Sequence, residues 1–134
     1  MALIGLDIGT KKTGISIAYK PYIVATDLPI IFESRQEQLI GKILEIILRE
    51  KAEKIIIGVP LDMKGSDTAA SLKIRAIGER LLRAVGDKLI TEIVYIDEAM
   101  SSKRAGEYLK GKKDSKLDDA IASKIILQEY INNL

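Results

Sequence analysis

Residues 3–9, LIGLDIG, constrain this chain more than any other segment. Leu3, Ile4, Leu6 and Ile8 form the near-continuous apolar run of a strand buried on both faces of a sheet. A single carboxylate, Asp7, sits near its end, followed at once by Gly9, Thr10, Lys11 and Lys12. An ionised Asp in a strand core is costly unless a cation or metal ion compensates its charge. Asp7 is therefore the first member of a candidate site, and the rest of the chain is read for its partners.

After the turn GTKKTG, Ile15, Ile17 and Tyr19 alternate with Gly14, Ser16 and Ala18, the period of a strand forming a hairpin with the first. Pro21 and Pro29 bracket a third extended piece, Tyr22 to Ala25, with Ile30 to Phe32 as its continuation. Ser34 and Glu37 have the form of a capping box. Leu39, Ile40, Ile43, Leu44, Ile47 and Leu48 then recur at helical spacing, which predicts a helix over 35–51. KIIIGV, Lys54 to Val59, is a buried strand stopped by Pro60, and a helix from Asp67 to Val85 closes at Gly86. Ile90 to Ile96 is a further strand ending at Asp97 and Glu98. A short helix over 102–110, a basic connector after Gly111 and a last helix from Leu117 to Asn132, with Ser115 and Asp118 as its capping box, complete the chain. Hairpin first, strand–helix alternation after: the pattern predicts one α/β domain spanning 1–134, a mixed five-stranded sheet with helices on both faces.

With no His and no Cys among 134 residues, a Ser-His-Asp triad, a His base and thiolate chemistry are excluded. Catalysis must use carboxylates, hydroxyls, amines or a hard metal. The net charge of +2 is too small to announce a nucleic-acid partner, so local patches must carry that argument. The opening MALIGLDIG lacks a basic leader and nothing reads as a membrane span, which makes a cytoplasmic location the expectation.

Asp7 closes the first apolar strand, Asp97 and Glu98 close the last, and Asp118 and Asp119 open the final helix. Ligands of open α/β sheets favour the carboxyl ends of parallel strands, where such acids would converge. A cluster of carboxylate oxygens calls for a hard cation, Mg²⁺ or Mn²⁺. Phosphodiester hydrolysis suits such a site and needs no His.

GLDIGTKKTG, IIIGVPLDMKGS, IDEAMSS and LDDAIASKIILQEY, in that order and covering essentially the whole chain, resemble the YqgF family. That family comprises Holliday junction resolvases and nucleases that mature the end of the small-subunit ribosomal RNA precursor. The resemblance implies a ribonuclease H-like fold and a metal-dependent endonuclease acting on structured nucleic acid. The substrate it implies is pre-16S rRNA at its 5′ end or, alternatively, branched DNA. Its catalytic and metal-binding acids fall on Asp7, Glu98 and Asp119. Asp118 stays open as a ligand, although it also suits the third helical position of a cap. A symmetric four-way junction would call for two sites and so a homodimer, whereas trimming an RNA end would not.

Lys11 and Lys12 suit a phosphate held beside the metals, and equally a basic hairpin tip. Lys64, Arg75, Lys103, Arg104, Lys110, Lys112, Lys113 and Lys116 are candidates for a backbone-gripping track, each with a bland reading as a solvated charge. Three departures from the family pattern alter the rim and spare the acids. Ala99 stands for the usual Arg, Ser101 and Ser102 for Thr-Thr, and Asp62 and Lys64 for an Asn and an acid. LDIGT is also a phosphate-loop signature of actin-like ATPases and sugar kinases, which need two such domains. A binding protein without activity, acting in ribosome assembly, is the third reading.

Overall fold

The computed structural model describes residues 1–98 and 115–134, and for 115–120 the backbone alone. Strand β1 (Ala2–Ile8) pairs antiparallel with β2 (Lys12–Tyr19), in a register that sets Leu6 against Ile15 and Asp7 against Gly14. The turn between them is tight: the Gly9 amide donates to the Lys12 carbonyl at 2.9 Å, and a Cβ on Gly9 would lie 2.6 Å from that oxygen. Strand β5 (Ala52–Val59) lies parallel to β1 on its other side, and β6 (Glu92–Asp97) lies parallel to β5.

The predicted mixed sheet therefore forms, with six strands rather than five. Two-residue strands β3 (Thr26–Asp27) and β4 (Ile31–Phe32) both pair with β2, at different points along it, giving the order β3-β2-β1-β5-β6 with β4 beside β2. Tyr22 to Ala25 does not extend the edge as predicted. Tyr22 adopts a left-handed φ of 59°, and the Ala25 amide donates to Gln128 Oε1 at 2.9 Å instead of to a strand.

Among the described residues, three helices cover the two faces. α1 (Gln36–Glu50) and α2 (Ala69–Val85) bury Ile43, Ile47, Ile74 and Leu81 against Ile4, Leu6, Ile15, Ile55 and Ile57. On the other face α3 (Ser115–Asn132) sets Ile126, Leu127 and Ile131 against Leu3, Ala18 and Ile56. Alternation along β1 and β5 thus feeds two cores, which is why their sequences are apolar at nearly every position.

The helix ends differ from the sequence reading in informative ways. The Ser34–Glu37 capping box is not formed: Arg35 is the N-cap, without a side-chain bond, and the amides of Ser34 and Arg35 donate to the Glu33 carboxylate instead. α2 begins after Thr68, whose hydroxyl accepts from the Ser71 amide while Ser71 Oγ accepts from the Thr68 amide. Gly86 closes it at a φ of 54°, as expected. β6 begins at Glu92 because Ile90, 96% exposed, has left the sheet. α3 includes Ser115 and Lys116 ahead of the predicted start. The short helix over 102–110 and the basic connector lie outside the described residues, as do the side chains of the Ser115–Asp118 cap.

Candidate active site

Parallel strands β1, β5 and β6 end at one edge of the sheet, and the first turns of all three helices face that edge. α2 follows directly from β5, and α1 follows β4, which runs parallel to β1. α3 runs antiparallel to β5, since Ile126 lies over Gly58 while Tyr130 accepts from Lys54 at the other end of the strand. Helix N-termini carry partial positive charge, so this edge favours anions.

Asp7 lies one residue before the end of β1 and is half-buried. Its side chain shares the face of Leu3 and Gly5, the α3 side of the sheet, by strand alternation. Both strands beside it carry glycine there. Gly14 is its antiparallel partner, and Gly58 follows Ile57, the partner of Leu6. At Gly58 the missing side chain admits Ile126 of α3, whose Cδ1 would lie 2.6 Å from a Cβ there.

Glu98 stands immediately beyond β6, whose last residue, Asp97, pairs with Val59. A Cβ on Gly58 would lie 3.7 Å from the Cβ of Glu98 and 2.6 Å from Ile126 Cδ1. Glu98 thus comes beside Gly58, one strand from Asp7, and it is half-buried as well. Asp97, on the alternate face, is engaged in its own interactions.

Asp118 and Asp119 lie near the N-terminus of α3, the helix covering this face. Among the described residues no three acids gather as a metal site. The oxygen-only donors Asp7 and Glu98 fit a hard divalent cation and exclude a thiolate or imidazole site.

Lys11, exposed, and Lys12, half-buried, sit at the β1–β2 turn on the same edge. Lys64 is exposed in the loop 60–68, whose shape is set by Asp62: its Oδ1 accepts from the amides of Lys64 and Ser66, both at 2.9 Å. The departure from Asn at this position leaves the loop intact, because Asp offers the same acceptor oxygen. Arg75 is committed within α2: its Nε donates to Asp67 Oδ1 at 2.9 Å, and its guanidinium lies 4.8 Å from the Tyr95 ring. Asp67 is held below the usual carboxylate range, first by that Arg75 bond and then by Ser71. Lys112, Lys113, Lys103, Arg104 and Lys110 lie outside the described residues, and Lys116 outside the described side chains. Sequence reasoning missed Gly14 and Gly58 as parts of the site. Their signal was present: a glycine interrupts each of two apolar strands, and at Gly58 it admits Ile126 of α3.

No helix among the described residues is long and apolar enough to cross a membrane. Comparison with known proteins places the chain firmly. The model of the RuvX family, described as a Holliday junction resolvase, matches residues 1–133. A Rickettsia bellii protein named "putative pre-16S rRNA nuclease" is 33% identical over 137 residues, covering 98% of this chain and 86% of its own. A Maridesulfovibrio salexigens protein of the same name is 32% identical over 136 residues, covering 98% of both chains. Among solved structures, Thermus thermophilus RuvC in complex with a Holliday junction substrate superposes with a TM-score of 0.59 at 16% identity, over 99% of this chain and 94% of that one. The fowlpox virus Holliday junction resolvase superposes with a TM-score of 0.61 at 15% identity, over the whole of both chains. These two share the ribonuclease H-like fold. The chain belongs to the RuvX (YqgF) family of Holliday junction resolvases, a family of nucleases that act on phosphodiester bonds.

Proposed function

We propose that the chain is a metal-dependent endonuclease of structured RNA, acting in the cytoplasm on the 5′ leader of pre-16S rRNA. The observation that carries this reading is the pairing of Asp7 with Glu98 across Gly58, on one face at the carboxyl edge of the sheet. The names of the relatives supply the substrate. Asp7 and Glu98 would hold Mg²⁺ or Mn²⁺ together with Asp119. A bound ion of this kind activates a water and offsets charge on the phosphodiester oxygens.

The phase of α3 favours Asp119 over Asp118 as third ligand. Ser123, Ile126 and Leu127 face the sheet. Position 119 is one turn before Ser123 and about 40° from it around the helix, whereas position 118 is about 140° away. A helix rises about 6 Å over the four residues from 119 to 123. A strand rises about 6.6 Å over the two from Gly5 to Asp7. Since Ser123 bonds to Gly5, position 119 comes level with Asp7. Lys11, Lys12 and Lys64 would hold flanking phosphates, joined by Lys112 and Lys113.

The deciding experiment incubates the purified chain and its Asp7→Asn variant with Mn²⁺ or Mg²⁺ and either a precursor leader RNA or a four-way DNA junction. The expected result is metal-dependent cleavage of the RNA, lost in Asp7→Asn while circular dichroism stays unchanged. Full activity of that variant, or no RNA cleavage by the parent, would overturn the reading. The family description favours a second reading, resolution of branched DNA. It requires symmetric cuts and hence a homodimer, and cleavage of the junction alone would select it.

A further inference from the structure

A second feature adjoins the acids on the far side of the strand ends. Between the first turns of α1 and α2 lies a cleft of about 200 Å³. Ile8, Leu39, Ile74 and Ile77 give it an apolar lining, and Thr10, Ser34 and Lys73 add polar groups. Glu98 belongs to the same lining, so the cleft is continuous with the candidate catalytic edge. The mechanism above does not use it.

We infer that this cleft receives one unpaired nucleobase of the nucleic-acid substrate, from a nucleotide next to the scissile phosphate. This rests on the nuclease reading and adds to it: the substrate must present an unstacked base beside the cut. Size is the first argument. The cleft is smaller than the cavities of roughly 300–1,000 Å³ that take drug-sized ligands, and suits a single planar ring system. Chemistry is the second. An extruded base needs apolar surface against its faces and a few hydrogen-bonding groups at its edge, which this lining combines. Charge is the third, and it is mixed: the N-terminus of α2 and the ammonium of Lys73 favour the phosphates that accompany the base, while the carboxylates of Glu33 and Glu98 share the lining. Composition is the fourth. With one Phe, five Tyr and no Trp in the chain, open aromatic stacking is a poor primary device, and an apolar slot is another way to hold a base.

Ala70 gives the test. It lines the cleft from the first turn of α2 but is solvent-exposed, so Ala70→Phe fills the space without disturbing the core. Ala70→Ser leaves it open as a control. The methyl groups of Ile8, Leu39, Ile74 and Ile77 are followed by NMR while the full chain is titrated with short single-stranded RNA and DNA oligonucleotides. Matched oligonucleotides carrying one abasic residue are titrated in parallel. The expected result is a set of shifts confined to these methyls, weakened about tenfold or more in affinity by the abasic residue. The shifts should be absent in Ala70→Phe and retained in Ala70→Ser. Equal shifts with the abasic oligonucleotide, or none at these methyls, would overturn the inference. A mononucleotide that saturates the cleft while oligonucleotides fail to displace it would overturn it too. Base-dependent shifts without cleavage of any substrate would support the cleft and defeat the nuclease reading instead, so the two fail separately.

Discussion

The hydroxyl of Ser123 donates to the carbonyl of Gly5 at 3.0 Å, tying the middle of α3 to the middle of β1. Ser16 closes the contact from β2, its own hydroxyl donating to the Ser123 carbonyl at 3.0 Å. Both serines are fully buried. Such close approach is possible because residue 5 is glycine: a Cβ there would lie 2.6 Å from Ser16 Oγ, 2.9 Å from Leu127 Cβ and 3.1 Å from the Ser123 carbonyl oxygen. Two of those three neighbours are backbone or a Cβ and cannot rotate away. Gly5→Ala should therefore lift α3 and cost about 1–3 kcal/mol, as overpacking does. Ser123→Ala should cost on the order of 1 kcal/mol. Urea unfolding checks both. Because α3 carries the third candidate acid, Gly5→Ala should also weaken Mn²⁺ binding by isothermal calorimetry.

The two adjacent aspartates of α3 can be separated by the same measurement. Asp119→Asn should remove Mn²⁺ binding and cleavage together, while Asp118→Asn should retain both. Neither variant should lower the unfolding free energy from urea titration by more than the ~0.3–1 kcal/mol that an acid near a helix N-terminus contributes through the dipole. The reverse pattern, with Asp118 essential, would mean that α3 is turned relative to the phase set by Ser123 and Leu127.

Why the sequence left that pair open is physical. Ile121, Ala122, Ile125, Ile126, Tyr130 and Ile131 spread apolar residues around most of the helix, so periodicity alone does not define a sheet-facing side. Only the contact of Ser123 with Gly5 and Ser16 sets the phase. The strands and α1 were legible for the opposite reason: their patterns are strict, and local. Strand β3 was not, because a two-residue pairing leaves no period to read, whereas β4 falls within the extended continuation read over Ile30 to Phe32. The α1 cap was misassigned because Glu33 takes the Ser34 amide that the Glu37 carboxylate of a capping box would receive, and Arg35 rather than Ser34 is the N-cap. That competition depends on where Arg35 and Lys42 stand in space. Asp7 and Glu98 were legible as acids at strand ends. The glycines beside Asp7 were overlooked, since a missing side chain has meaning only beside a known neighbour, as Gly58 has in Ile126.

The loop after β5 makes a prediction that distinguishes shape from charge. Asp62 Oδ1 accepts two amides, and the Asp62 amide and carbonyl bond back to Ser66 and Gly65 at 2.9 and 3.0 Å. Asp62→Asn keeps the acceptor and should leave stability unchanged. Asp62→Ala should loosen the loop, at a cost on the order of 1 kcal/mol. Amide hydrogen exchange at Lys64 and Ser66 is the direct readout, and should accelerate in Asp62→Ala alone. If the Asn variant were to exchange as fast as the Ala variant, the carboxylate charge rather than its geometry would be what holds the loop.

Glu33 carries the pH dependence of the edge. Its carboxylate takes hydrogen bonds from the Arg35 side chain and amide, with Lys42 Nζ at 3.6 Å from Oε1. These hold its pKa down, from 4.5 to about 2, with Arg35 as the larger cause. A carboxyl group depressed on folding stabilises the folded state above its unfolded value, and that contribution drains away as the pH falls. The loss should therefore run from about pH 4.5 down through about pH 2. Arg35→Ala removes the main cause, so Glu33 should titrate closer to 4.5 and its share of the acid sensitivity should shrink. Carboxyl-carbon NMR of Glu33 in both proteins measures the two values directly, and urea midpoints across the same pH range test the linkage. The change should be local, because Glu33 also accepts the amides of Ser34 and Arg35 ahead of α1. Protonating it should release the first turn of that helix, which lines the cleft beside Glu98, before the strands are affected. A wild-type Glu33 titrating near 4.5 would show that this brace is not made in solution.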